Sequence, residues 1–306
     1  MCNTTYDIMR YKRKKNYRIR LRILVIMCAS LATPVLAQKE AYKLFRENGK
    51  KTRYEKMLQG ASEADVVLFG ELHTNPISHW LQLELTTDLH AIKGDGLVLG
   101  AEMFEADNQL ILNEYLTGLI SEDKFEEEAR LWKNYATDYK PLVLVARDNG
   151  LRFIATNIPR RYANTVFKQG LAKLDSLTDE AKRYIAPLPL DYDTSLNCYS
   201  QLLDGGGMPG HGSINLADAQ AIKDATMSHF ILKNWEKGQL FVHYQGAYHS
   251  DSYESMNWFL KRANPELNIM TISSVSQDSL EELEEDSMGK ADFIIVVPST
   301  MTKTSR

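Results

Sequence analysis

The chain is poor in cysteine. Of its three cysteines, Cys2 and Cys28 precede residue 38, which leaves Cys198 alone in the body of the protein. No internal disulfide can form there, and no cysteine-based zinc or iron–sulfur site is available. Any metal would have to use histidine, carboxylate or tyrosine oxygen. Neither HExxH nor GxSxG occurs, so the common zincin and α/β-hydrolase routes lack support. The chain has no internal repeat and no long linker, and its apolar stretch at 23–37 is too short to span a bilayer comfortably.

That stretch belongs instead to a three-part leader. Arg10, Lys12, Arg13, Lys14, Lys15, Arg18, Arg20 and Arg22 form a basic lead-in, and Val35-Leu36-Ala37 offers small residues for cleavage before Gln38. The layout is that of a secretory signal over residues 1–37 and predicts an exported, periplasmic or cell-surface protein. Cys28 invites comparison with a lipobox, but Met27 stands where Gly, Ala or Ser is wanted, which favours release over lipid anchoring. Without the leader, 28 basic residues (36 less 8) face 39 acidic ones (40 less 1), a net charge of −11. An acidic body of this kind repels phosphate backbones, which excludes nucleic acid as a natural partner. The 269 remaining residues (306 less 37) can bury a core as one large domain, 38–306.

Short apolar runs alternate with helical patterns. Strands are expected at 64–69, 97–103, 152–156, 240–244, 268–275 and 292–297. Asn75 and Pro76 start a helix that carries Ile77, Leu81, Leu85, Leu89 and Ile92 on one face. Further helices are expected at 110–116, 122–128, 141–149, from Pro159, and at 217–235; Asp251 to Glu254 has capping-box spacing and predicts another. Residues 175–214 are less regular, with helical patches around Pro187 and Pro189 and a glycine-rich end, DGGGMPGHG, and read as an inserted helical and loop lobe or lid. The fold class is α/β, a mostly parallel sheet with helices on both faces. In such sheets ligands gather at the carboxyl ends of the strands.

Polar residues follow four of the strands: Glu71, His73, Asn75 and His79; Glu102, Glu105 and Asp107; Asn157, Arg160 and Arg161; His243, Tyr244, Tyr248, His249 and Asp251. Buried carboxylates and imidazoles are costly unless they pair or serve a purpose, so the set predicts one shared rim, and the free amides of helix starts suit it to an anionic ligand. Arg160 and Arg161 could clamp carboxylates, and Tyr244 or Tyr248 could ligate ferric iron through phenolate. Met103, Phe104 and Trp80 are candidates for an apolar wall. A hydrolase would use Glu71, Glu102 or Glu105 as general base with His73 or His249 orienting or bearing zinc or manganese, a metal set of Glu71, His73, Glu102 and His249. His211 and Cys198 are read as an exposed loop residue and an inert thiol.

The blocks GELHTN, AEMFEADNQ, ARDNGLRFIATNIPRRYA, AQAIKDATM, HYQGAYHSD and ADFIIVVPST, in that order over about 64–299, resemble the ChaN-like haem-binding family of the Tiki/TraB grouping, to which erythromycin-esterase-like proteins are related. The resemblance implies the same α/β fold, an envelope location and haem binding or iron uptake, with Glu71 and His73 lining the cavity. It also implies Tyr244, Tyr248, His243 or His249 on iron and Arg160 or Arg161 on propionates. A homodimer and an outer-membrane receptor are the partners such a role calls for. The wider superfamily includes hydrolases, some metal-dependent, so a Tiki- or erythromycin-esterase-type esterase or peptidase is the alternative.

Overall fold

The structure, a computed structural model, describes residues 39–203 and 214–305. The leader 1–37 with Cys28, and the glycine-rich run 204–212 with His211, lie outside the described residues.

In chain order the elements are β1 (Lys43–Arg46), α1 (Tyr54–Glu63), β2 (Val66–Glu71), α2 (Pro76–Lys93), β3 (Leu97–Glu105), α3 (Gln109–Leu116), α4 (Glu122–Glu128), α5 (Lys140–Asp148), β4 (Arg152–Asn157), α6 (Arg160–Gln169), α7 (Asp179–Lys182), α8 (Asn197–Leu203), α9 (Ile214–Asn234), β5 (Leu240–Gly246), α10 (Met256–Ala263), β6 (Ile269–Gln277) and β7 (Phe293–Pro298). They build a seven-stranded sheet in the order β1-β7-β6-β2-β5-β3-β4. Every pairing is parallel except β1 on β7. Parallel strands covered on both faces read as unbroken apolar runs, and β2 and β5 are buried at every position.

Successive side chains of a strand point to opposite faces, and the core divides accordingly. Val67, Phe69, Leu99, Val242 and Tyr244 pack with Leu81, Leu85 and Leu89 of α2. Val66, Leu68, Val98 and Phe241 pack with Met227 and Ile231 of α9 and with Leu260 of α10. No helix among the described residues is long and apolar enough to cross a membrane.

Local chemistry sets the strand-end turns. The Asn75 side-chain oxygen accepts from the backbone N–H of Ile77 and Ser78, with Pro76 at the first helical position, so α2 begins five residues after β2 ends, at the position its sequence predicts. Gly70 allows β2, β6 and the turn after β5 to crowd together: a Cβ there would lie 2.8 Å from the Ala247 Cα and 3.0 Å from the Ile272 carbonyl oxygen.

Three expectations need correction. The capping box does not open a helix at Asp251: residues 251–253 form one 3-10 turn, Ser252, Tyr253 and Ser255 have positive φ, and α10 starts at Met256. Glu254 is occupied elsewhere, its carboxylate accepting from the backbone N–H groups of Asn197 (3.1 Å) and Cys198 (2.7 Å) at the start of α8. Ile92, placed with the buried face of α2, is exposed. The stretch around Pro187 and Pro189 is not helical. Strand β1 and helix α1 carry no sequence signal as strong as their neighbours', because β1 has only four residues, two of them charged.

Candidate functional site

The carboxyl ends of β2, β3, β4 and β5 present two polar clusters that meet at Gly246. The first is built on Glu71, the last residue of β2, which is almost wholly buried. One carboxylate oxygen accepts from the Tyr139 hydroxyl (2.7 Å) and from His73 Nδ1 (3.0 Å), and the other accepts from Gln82 Nε2 (2.6 Å). His79 is held by the Gln82 side chain at Nδ1 and lies 3.2 Å from the His73 carbonyl at Nε2. Asn134 donates to that same carbonyl at 2.8 Å. The backbone turn carrying His73 is therefore fixed from two sides, while the His73 ring stays partly open, its side chain 42% exposed. Burial lowers the affinity of His73 for a proton, but the hydrogen bond to Glu71 and the charge of Glu102 outweigh it, and its pKa is raised.

The second cluster is a line of buried groups running from β3 to α8. Glu102 lies 3.3 Å from His249 Nε2, and His249 Nδ1 donates to Asp224 of α9. The other Asp224 oxygen accepts from the Tyr199 hydroxyl at 2.8 Å. Burial alone would neutralise His249, yet two flanking carboxylates, Glu102 and Asp224, raise its pKa to about 10. Burial likewise pushes Glu102 up, but the charges of His249 and His73 and the Gly246 N–H hold it far below the usual carboxylate range. For Asp224 burial prevails and the pKa is raised. His249 is thus an imidazolium between two acids at neutral pH.

Gly246 joins the clusters. Its N–H donates to Glu102 Oε2 at 2.9 Å. A Cβ at this position would stand 2.7 Å from His73 Nε2 and 3.6 Å from Glu102 Oε2. Only a residue without a side chain lets the imidazole close over the strand end.

Beside Glu102 opens a cleft of about 680 Å³. Leu131, Trp132, Ile158 and Ala163 give it apolar surface, and Lys133, Arg160 and Lys223 give it positive charge. None of these three cations forms an ion pair with a described residue. Trp132 also touches the His73 ring edge-on, with centroids 5.1 Å apart. Asn157 donates to the Glu102 carbonyl, while its own side-chain oxygen is buried without a partner. A groove of about 760 Å³ runs beside β4, but it sits at that strand's amino-terminal end, and none of the clustered acids or imidazoles lines it.

The sequence candidates divide against this geometry. Glu71, His73, Glu102 and His249 converge, and Arg160 and Glu105 line the cleft. Glu105 is tied to Arg130 at 2.9 Å. Arg161 is spent on Asp107 at 2.6 Å, a carboxylate that also meets Arg130. Tyr244 is wholly buried on the α2 side of the sheet, its hydroxyl bonded to Thr86, and cannot reach the rim. His243 is buried on the opposite face, its nitrogens on Thr156 and Gln245, and burial lowers its pKa to about 4. Tyr248 is partly exposed but donates its hydroxyl to the Cys198 carbonyl. Met103 and Phe104 lie in the core, and Trp80 packs on Tyr42. Among the described residues no three His, Cys, Asp or Glu side chains are placed to hold a metal ion. The expected metal set of Glu71, His73, Glu102 and His249 meets instead as two acid–imidazole pairs, Glu71 with His73 and Glu102 with His249.

Sequence reasoning missed Asp224, Tyr199, Tyr139, Gln82, Trp132, Lys133 and Lys223. Asp224 had a signal: it is an acid in line with Ala217 and Ala221 on an otherwise apolar face of α9, and all three are fully buried.

A family model described as haem-binding uptake, Tiki superfamily, ChaN, matches residues 57–260. The protein RETICULATA-RELATED 5, chloroplastic, of Arabidopsis thaliana is 28% identical over 197 residues, 60% of this chain and 26% of that protein, so the chain spans about a quarter of that relative. A solved structure of cofacial heme binding to ChaN of Campylobacter jejuni overlays with a TM-score of 0.63 at 16% identity, over 84% of this chain and 96% of that one, which shows the fold. An erythromycin esterase in its open conformation overlays at 0.46 and 12% identity, over 84% and 83% of the two chains, a likeness that says nothing of the site.

Proposed function

Because the chain belongs to the Tiki-superfamily haem-binding uptake family, ChaN, we propose that it is an exported haem-binding protein whose ligand sits in the cleft at the strand carboxyl ends. One observation carries this reading: the cleft joins apolar surface from Leu131, Trp132 and Ile158 to three cations, Lys133, Arg160 and Lys223, that form no ion pair with a described residue, beside the carboxylates of Glu102 and Glu105. Haem is a flat apolar ring with two carboxylates, and both halves of that chemistry are met. Arg160, Lys133 and Lys223 would hold the carboxylates by charge-assisted hydrogen bonds, and the orphaned Asn157 oxygen is left to accept from a ligand or a bridging water. Bound haem supplies an iron centre; the chain supplies shape, charge and exclusion of water. The volume lies within the range of small-molecule sites, roughly 300–1,000 Å³.

Export follows from the leader. Protein recovered from the exported fraction is expected to begin at Gln38 and to give a saturable Soret change on titration with hemin. An uncleaved amino terminus sinks the export half, and a response that never saturates sinks the haem half.

A second reading has its own support. His73 is partly open, braced by Glu71 at Nδ1, and drawn toward its protonated form by Glu71 and Glu102. An imidazole so placed can exchange a proton with a bound ester or water, which is general acid–base hydrolysis without a metal. If the protein turns over simple esters, Glu71→Gln should cut the rate by about 10²–10⁴-fold while leaving the fold intact. Undiminished turnover in that variant, or none in the wild type, removes this reading.

A further inference from the structure

We propose that the hollow between the turn after β2 and the chain after β7 is a second binding site, one that takes a small organic carboxylate with an apolar body. It shares no lining residue with the cleft proposed for haem, so either site can fail without the other.

The hollow has a volume of about 370 Å³, toward the small end of the range for ligand sites, roughly 300–1,000 Å³. Its walls come from three places that the neighbouring strands β2, β6 and β7 bring together: the turn 72–75, Ser276 near the end of β6, and residues 298–303. The last of these is tied to the first. Thr304 donates its backbone N–H to the Thr74 carbonyl at 3.0 Å and its hydroxyl to Asp138 at 2.6 Å, and the Met301 N–H reaches the Pro298 carbonyl at 2.9 Å. Lys303 is therefore held beside the turn that carries His73.

The walls are rich in donors. Asn75 lines the hollow with only 9% of its surface exposed. Its side-chain oxygen is taken up by the Ile77 and Ser78 N–H groups at the start of α2, which leaves its amide N–H pair without a partner among the described residues. A buried amide donor is normally satisfied, and the space this one borders is the hollow. Lys303 forms no ion pair with a described residue, and the Thr74 and Ser276 hydroxyls have no hydrogen-bond partner there. The described lining contains no carboxylate. The acids behind it are engaged, Glu71 by His73 and Asp278 by Ser299. Helix α2, 18 residues long, adds the positive end of its dipole. A cation, an amide and two hydroxyls can together satisfy a carboxylate by charge-assisted hydrogen bonds. Leu72, Pro298 and Met301 give apolar surface for the rest of the molecule.

The test is calorimetric titration of the whole chain with benzoate and with benzamide, its uncharged counterpart of the same shape. Benzoate should bind saturably with a dissociation constant of about 1 mM or tighter, and benzamide at least about tenfold more weakly. Asn75→Asp keeps a capping oxygen for α2 but exchanges the donor for a negative charge. It should melt with the wild type and bind benzoate roughly tenfold or more weakly. Lys303→Gln, on the surface, should weaken benzoate by roughly tenfold and settles the matter if Asn75→Asp fails to fold. Lys133→Glu, in the larger cleft, should leave benzoate binding as it is. Absence of saturable benzoate binding overturns the inference, as does benzamide binding as tightly as benzoate or full affinity in Lys303→Gln. Loss of benzoate binding in Lys133→Glu would put the anion in the larger cleft and overturns it too.

Discussion

Asp224→Ala is expected to lower the unfolding free energy by about 3–5 kcal/mol, the usual cost of removing one partner from a buried ion pair. Asp224 is completely buried. It accepts from His249 Nδ1 with one oxygen and from the Tyr199 hydroxyl with the other. Alanine would leave a buried imidazolium with Glu102 as its only counter-charge and would strand the tyrosine hydroxyl. Asp224→Asn keeps an oxygen and an amide in the same place, so it should lose less than the alanine variant while still lowering the His249 pKa. Urea unfolding of the three proteins measures the order. If alanine costs under about 1 kcal/mol, within the range of an exposed pair, the buried line from Glu102 to Tyr199 does not hold the strand ends together. The same variant bears on function, because His249 would lose the acid that fixes its ring beside Glu102 and the cleft.

Asp224 also shows why the candidate site was only half legible in the sequence. Residues that follow a strand directly are easy to find, because a polar break in an apolar run is itself the signal; Glu71, His73, Glu102 and His249 were all marked this way. Asp224 sits in the middle of α9, where an acid reads as a solvated face until the helix is known to be covered by α6, α8 and α10. Tyr199 and Tyr139 come from elements whose position over the sheet is set by tertiary packing. The opposite error has one cause. His243 and Tyr244 are neighbours in β5 and so point to opposite faces, and with both faces of a parallel sheet buried, neither can line the rim. The fold was read more fully because alternation of apolar runs with helical periods survives small errors of boundary. What escaped was β1, too short to register, and α10, whose expected cap was taken by α8.

Stability should fall steadily as pH rises from about 6.5 to about 10, and His249 should account for a separable part of that fall. Its pKa rises from 6.5 to about 10 on folding. A base raised in this way contributes fully while both states are protonated, below the unfolded value, and that contribution disappears as pH climbs through the folded one. His73, also raised, acts in the same direction from 6.5 upward. Glu102 has the opposite sign. Its folded pKa is lowered, so its contribution is complete above the unfolded value of 4.5 and is lost only as pH drops. Asp224, raised by burial, has the sign of the imidazoles: its contribution is lost as pH rises above its unfolded value of 3.8. A shift of one unit is worth about 1.4 kcal/mol, so the His249 part is of the order of a few kcal/mol. Thermal unfolding of wild type and His249→Gln between pH 6 and pH 10 isolates it, because lysine and tyrosine titration near the upper limit is common to both. The variant should start less stable and show a flatter profile. Parallel profiles would mean that His249 is neutral in the folded protein, and that the charge balance beside the cleft is set by Glu102 with His73 instead.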